Sequence, residues 1–395
     1  MILKRILLIL VGIGLCFCLE LIARLVLPEN KLNLMESIHT VCREDNELLW
    51  RQKSNLNTMF QGKHVITNSL GLRNDEIMQH EKENMYRLIC LGGSSTFGWG
   101  VDREKTYPLH LENLINKCFD QKIAEVINAG QIGYTSYQGK KFFKKYLLEY
   151  SPDIITVSYV LNDIDKVRFF KNEKLSDSQI SFSGSEIVEW KSRIIDKRIY
   201  FLAKRFTLWL MRKNSKLTAA VYKNQYENSK IRVSAGEYRE NLQDIIATCK
   251  SRNIKLIFII MPINLALPEI SGKTNGSQLS NYYYQKAVKC EKIKDYKNAE
   301  LFFKKALEHQ VFICKKNGVL YQNIMMQVAQ ENKIPFVNAE ELFSSGLYGQ
   351  MVDLFNGSDD RIHPNDAGHR LIANALYECI INNAMLVPNK EMKRK

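Results

Sequence analysis

The chain has 395 residues, 45% of them hydrophobic, and carries a formal net charge of +14. That is ample apolar material for one large α/β domain or two medium ones. The positive charges are scattered and no RNP, zinc-finger or helix-turn-helix signature accompanies them, which argues against a nucleic-acid partner. A solvated lysine-rich surface explains them, with anionic lipid or an acidic glycan as the functional alternative. The nine cysteines are odd in number and irregular in spacing, so a metal site is not expected and most should serve as small buried hydrophobes.

Residues 1–29 read as a transmembrane signal anchor. Lys4 and Arg5 precede an apolar stretch from Ile6 to Leu27, interrupted only by Glu20 and Arg24. At 1.5 Å per residue it reaches roughly 33 Å, enough to span a bilayer. Glu20 and Arg24 are four apart and can pair on one helix face. A cleaved signal peptide is the rival, but Leu21-Ile22-Ala23 lacks the small residue its first position needs. Lys4 and Arg5 keep the N-terminus in the cytoplasm, so the rest of the chain faces outward. Residues 30–84 are polar and mixed, and read as an extended segment bracing the domain that begins at residue 85, with Val65 to Arg73 as strand and turn.

From 85 to 388 strand and helix alternate. Short continuous apolar runs at 86–91, 123–128, 153–159, 254–260 and 334–338 suit parallel strands covered on both faces. Helices are expected near 104–118, 136–149, 236–251, 319–332 and 365–382. This succession implies a three-layer α/β/α fold with a parallel five-stranded sheet and ligands at the carboxyl ends of its strands. Two insertions interrupt it. Residues 164–235 include a basic, aromatic-rich stretch at 198–213, which suits either an interfacial helix on anionic lipid or an amphipathic helix packed on the core. Residues 281–310 resemble a single tetratricopeptide repeat at Tyr283, Ala287, Tyr296, Ala299, Phe303 and Ala306; one copy makes a docked helical hairpin rather than a solenoid. That hairpin is a candidate surface for envelope assembly partners.

Four motifs stand out, the first three just past strands and the last just ahead of a helix: Gly92-Gly93-Ser94-Ser95-Thr96-Phe97-Gly98, Asn128-Ala129-Gly130-Gln131-Ile132-Gly133, Asn162-Asp163, and Asp360-Arg361-Ile362-His363-Pro364-Asn365. A serine, a base and an acid that orients the base are the minimum for nucleophilic acyl transfer. Ser94 sits where a strand-to-helix turn exposes its oxygen, and no Walker lysine comes after it, so a phosphate loop is disfavoured. His363 alone among seven histidines has an acid at triad spacing and a Pro-Asn helix start after it. Pro364 suits the first helical position. Asp360 is the expected acid, with Asp359 as the alternative, while Asp163 reads as structural support and His369 as a packing or capping residue.

In order and spacing the four motifs resemble those of the SGNH (GDSL-type) hydrolase superfamily, over roughly 85–165 and 235–382. Two positions depart: Gly93 stands where the family has aspartate, and Val160 where it has glycine. The resemblance implies the flavodoxin-like SGNH fold and a catalytic triad of Ser94, His363 and Asp360. It also implies an oxyanion hole formed by the amides of Ser94 and Gly133 with the Asn162 side chain. No cofactor is implied. The expected protein is a membrane-anchored serine esterase acting on an acylated carbohydrate or lipid. The preferred substrate is a small acyl ester of an envelope or exported polysaccharide. An O-acetyltransferase or a lipid esterase would use the same triad, and a non-catalytic envelope scaffold would not need it.

Overall fold

The structure, a computed structural model, describes residues 38–77, 85–119, 122–165, 175–180, 230–263, 313–344, 353–356, 360 and 362–386, with scattered residues within 11–22 and 282–305. The anchor, the basic stretch 198–213, most of the hairpin 281–310 and Asp359 lie outside the described residues. Among the described residues no helix is long and apolar enough to cross a membrane.

Five parallel strands form the central sheet: β5 (Tyr86–Gly92), β6 (Ala124–Gly130), β7 (Ile154–Ser158), β8 (Lys255–Ile260) and β9 (Phe336–Asn338), in the order β6-β5-β7-β8-β9. The central strands are legible as apolar runs because their side chains alternate between two cores. Ile89, Leu91, Ile155, Val157 and Phe258 point to one core, and Leu88, Cys90, Ile154, Ile257 and Ile259 to the other. The first core is closed by α3 (Ser136–Phe142), α4 (Ala235–Ser251) and α5 (Ile313–Asn332). The second is closed by α2 (Tyr107–Phe119), the short α6 (Ala339–Ser344) and α7 (Asp366–Asn382). The three layers are those expected.

Register decides where the site lies. Gly92 pairs with Gly130 on one side and with Ser158 on the other, so three strands end level and their loops emerge together. The chain passes from β5 to β6 on one flank and then to β7 on the opposite flank. A crevice opens at such a topological switch point.

The segment before β5 is a correction to the extended brace. It folds into two antiparallel hairpins, β1 (Cys42–Asp45) with β2 (Leu49–Gln52) and β3 (Asn57–Phe60) with β4 (Lys63–Ile66). Leu48, Leu49, Trp50, Phe60, Val65 and Leu72 are buried within the first core itself. Burying each such apolar side chain is worth about 1.5–3 kcal/mol. The hairpins are thus part of the domain rather than a strap on its surface.

Three helix limits also differ from expectation. The helix expected over 136–149 is α-helical only to Phe142, widens to a π-turn at Phe143–Leu147 and ends with Ser151 in the left-handed region. The wide turn accompanies burial of Phe142, Phe143 and Leu147 together. α5 starts at Ile313, six residues before the apolar periodicity suggested. α7 starts at Asp366 with Asn365 as its cap, its side chain accepting from the Gly368 amide at 3.1 Å, so Pro364 precedes the cap rather than opening the helix. Among the cysteines, Cys42, Cys90 and Cys249 are free and buried, and burial pushes the Cys90 thiol up to about 12.

Candidate active site

Ser94 opens α1 (Ser94–Phe97), directly after β5. This one-turn helix uses the Gly93 carbonyl to receive the Phe97 amide at 3.1 Å, and the Ser94 carbonyl to receive the Gly98 amide at 3.0 Å. The Ser94 amide belongs to the first turn, whose N–H groups have no partner within a helix. The serine side chain meets His363, Oγ to Nε2, at 2.8 Å. Its neighbour Ser95 instead donates to the Ile362 carbonyl at 2.8 Å, which ties α1 to the histidine loop.

The other ring nitrogen of His363 lies 2.8 Å and 3.1 Å from the two carboxylate oxygens of Asp360. The carboxylate also accepts from the amides of Ile362 (3.0 Å) and His363 (2.9 Å). Burial would raise the Asp360 carboxyl, but its bond to His363 and these two amides outweigh that and hold it below the usual aspartate range. An ionised Asp360 only accepts, so the imidazole proton sits on Nδ1 and the Nε2 lone pair faces the Ser94 hydroxyl. That is the tautomer a general base needs.

Trp99, which belongs to none of the four motifs, stacks on the His363 ring with centroids 5.0 Å apart and planes 11° from parallel. Asn356 joins the two loops, its side-chain amide donating to the Trp99 carbonyl at 2.6 Å while its backbone amide binds the His363 carbonyl at 2.9 Å. Arg73, buried in the segment that follows the second hairpin, donates to the carbonyls of Gly98 (2.8 Å) and Val101 (2.9 Å) on either side of this turn. Burial lowers its pKa to about 10, so it stays charged at neutral pH. No local sequence pattern marks any of these contacts; they join residues from four parts of the chain.

The expected oxyanion donors fall in two groups. Asn162 lines the same cleft as Gly93 and Ser94, and its side-chain nitrogen donates to the Tyr134 carbonyl at 3.0 Å. An amide nitrogen carries two protons, so this bond fixes the group and leaves one proton to offer. A Cβ at Gly93 would lie 2.7 Å from the Asn162 side-chain nitrogen, so a larger residue there requires the amide to shift. Gly133 directly precedes Tyr134, which lines the cleft. Gly133 adopts φ +74°, a conformation that favours glycine, in the loop that leaves β6. Val160, the second departure, is buried in the first core and contributes to the cleft wall.

Asp163 is structural, as expected. It is buried, and its Oδ1 accepts from the Ser136 amide (2.8 Å) and hydroxyl (2.5 Å), while Oδ2 has no partner among the described residues. Burial pushes its carboxyl up to about 7. His369 is buried at the base of α7, with Nδ1 accepting from the Tyr107 amide at 3.1 Å, and burial pushes its pKa down to about 3.

These two groups act on stability with opposite signs. Between pH 3.8 and 7 the folded state holds a proton on Asp163 that the unfolded chain has lost, so this group makes stability fall as pH rises. Between pH 3 and 6.5 the unfolded chain protonates position 369 while folded His369 stays neutral, so this group makes stability rise with pH. Over pH 4.5–6.5 the two contributions nearly cancel, so relative to wild type Asp163→Asn should make stability rise with pH and His369→Gln should make it fall. Denaturant midpoints at three pH values within that range measure both slopes.

The cleft bounded by Ser94, Tyr134, Tyr159, Leu161, Asn162 and Met261 encloses only about 20 Å³. Among the described residues no cluster of histidine, cysteine and acidic side chains could hold a metal ion.

No family model matches the chain, and no curated protein does. Among solved structures, the chain is similar to a lipase/acylhydrolase from Enterococcus faecalis at 13% identity and a TM-score of 0.42, over 78% of this chain and 100% of that one. It is similar to an acetylxylan esterase from Geobacillus stearothermophilus at 15% identity and 0.40, over 75% and 94% of the two chains. A GDSL-like lipase from Bacteroides thetaiotaomicron also stands at 15% and 0.40, over 78% and 93%.

Proposed function

We propose that this protein is a serine ester hydrolase of the SGNH type. One observation carries the reading: Ser94, His363 and Asp360 form an unbroken hydrogen-bonded relay at the carboxyl ends of the strands. Ser94 Oγ attacks the ester carbonyl as His363 Nε2 takes its proton. The carbonyl oxygen gathers charge beside the Ser94 amide and the Asn162 side chain, with Gly133 as the third donor. The imidazolium, steadied by Asp360, then protonates the departing alcohol. Water, deprotonated by the same histidine, attacks the acyl-serine, and Ser94 recovers its proton when the acid leaves.

The narrow cleft favours a small acyl group, since about 20 Å³ is little more than the space of one water molecule. The apolar run behind Lys4 and Arg5 supports membrane anchoring with the catalytic domain outside. An acylated envelope or exported polysaccharide is then the substrate within reach. Turnover of aryl acetate, butyrate and octanoate esters by the full chain tests this, with an acetylated oligosaccharide alongside. Acetate should be the best aryl ester, and a preference for octanoate would replace this substrate with a lipid. Acetyl transfer to added sugar in preference to water would make the protein a transferase. Recovery of the full chain in the soluble fraction would remove the anchor from the proposal without touching the chemistry.

A further inference from the structure

The first hairpin reaches the loop that carries Gly133 through Trp50. Trp50 is buried, and its indole Nε1–H donates to the Ile132 carbonyl at 2.8 Å. That carbonyl belongs to the same peptide unit as the Gly133 N–H. A trans peptide is planar, with C=O and N–H pointing to opposite sides. Holding one therefore aims the other, and the Gly133 amide is directed away from the indole. The next peptide is held as well, because Arg232 Nη1 donates to the Gly133 carbonyl at 2.8 Å. Arg232 is fixed in turn by the buried carboxylate of Asp177 at 2.8 Å and lies 5.0 Å over the Trp50 ring. The hairpin and loop are cross-linked further, from Tyr134 Oη to the Trp50 carbonyl (2.7 Å) and from the Gln52 side chain to the Gly130 carbonyl (3.2 Å).

Both peptide planes that flank Gly133 are thus pinned by buried side chains from distant parts of the chain. A glycine at positive φ is otherwise the freest joint in the loop. A donor fixed before reaction stabilises a developing oxyanion without reorganising first. A hydrogen bond to the carbonyl of a peptide also polarises it, which strengthens its N–H as a donor.

We propose that Trp50 is a positioning residue of the oxyanion hole, aiming the Gly133 amide through the Ile132 carbonyl, with Arg232 holding the next peptide. This role rests on the esterase reading and gives the N-terminal hairpin a part in turnover. It also separates two roles a buried tryptophan can have, since filling space and donating one proton respond to different changes.

The test is Trp50→Phe in the full chain, which keeps an aromatic body and removes the donor. Replacement of Trp50 by benzothienylalanine, with sulfur in place of the N–H on a near-identical ring system, serves if phenylalanine impairs folding. Expected is a loss in kcat of about tenfold, below the 10²–10³ typical of deleting a donor outright, because the amide is misaimed and not removed. KM for an aryl acetate should stay within about twofold. Affinity for a boronic acid that mimics the tetrahedral intermediate should fall in parallel with kcat. Arg232→Lys, which keeps the charge beside Asp177, should show the same signature. Folded variants with unchanged kcat and unchanged boronate affinity would overturn the proposal, as would a loss confined to thermal stability. A wild-type protein that neither turns over esters nor reacts at Ser94 would instead remove the esterase reading on which it rests.

Discussion

Ser94→Ala should lower kcat/KM for an aryl acetate by about 10⁴–10⁶, with the fold intact, because the residual rate of a triad knockout comes only from binding and the oxyanion donors. Among the described residues the hydroxyl bonds to His363, and its removal leaves no buried carboxylate there uncompensated. Thermal stability should therefore change little. A serine-directed phosphonate should label wild type at position 94 and leave the variant unlabelled. Ser95 is the rival, next along the same turn, but its hydroxyl is committed to the Ile362 carbonyl. Label recovered on Ser95 would transfer the nucleophile. His363→Ala should lose about as much as Ser94→Ala, and the double variant scarcely more, since residues acting as one unit are not additive. Asp360→Asn should cost about 10⁴. An asparagine can donate to Nδ1, which would turn the Nε2 proton toward Ser94 and leave no lone pair to accept. Near-normal turnover in that variant would exclude Asp360 as the orienting acid.

The sheet and the triad are legible in the sequence for the same reason. Parallel strands buried on both faces are dominated by apolar residues, as 86–91, 153–159 and 254–260 are; the chemistry then stands at their ends, where glycine, serine and asparagine interrupt the runs. His363 is legible because its acid is three residues away, a local relation. What stays hidden is long-range. Trp99 reaches His363 across 264 positions, and Arg232 reaches Gly133 across 99. A buried arginine has no signature, because composition assigns it to the surface; Arg73 and Arg232 are inside only because backbone carbonyls, or a carboxylate, receive their protons. The hairpins between 42 and 66 are unreadable for another reason. Their strands are four residues each, shorter than the alternation that would reveal them, and their apolar residues belong to a core made by other elements.

Asn162→Ala should lower kcat by about 10²–10³ while KM moves much less, since an oxyanion donor bonds most strongly to the charge that develops in the transition state. The alternative is that Asn162 only finishes the turn after β7, holding the loop through its bond to the Tyr134 carbonyl. A structural asparagine would show as lost thermal stability with near-normal kcat in the folded fraction. Gly93 offers an independent route to the same question. Its missing side chain leaves the space that the Asn162 amide occupies, and an added Cβ would stand 2.7 Å from the nitrogen. Gly93→Ala should therefore displace the amide and reduce kcat in the same sense, by about tenfold or more on the scale of losing a donor. The decisive measurement is the double variant. If the added methyl acts through the displaced amide, Gly93→Ala should cost little once Asn162 is already alanine, because contacting residues in one interaction are not additive. Full additivity of the two losses would mean that Gly93 disturbs the Ser94 turn directly, and that the glycine is there for the nucleophile and not for the asparagine.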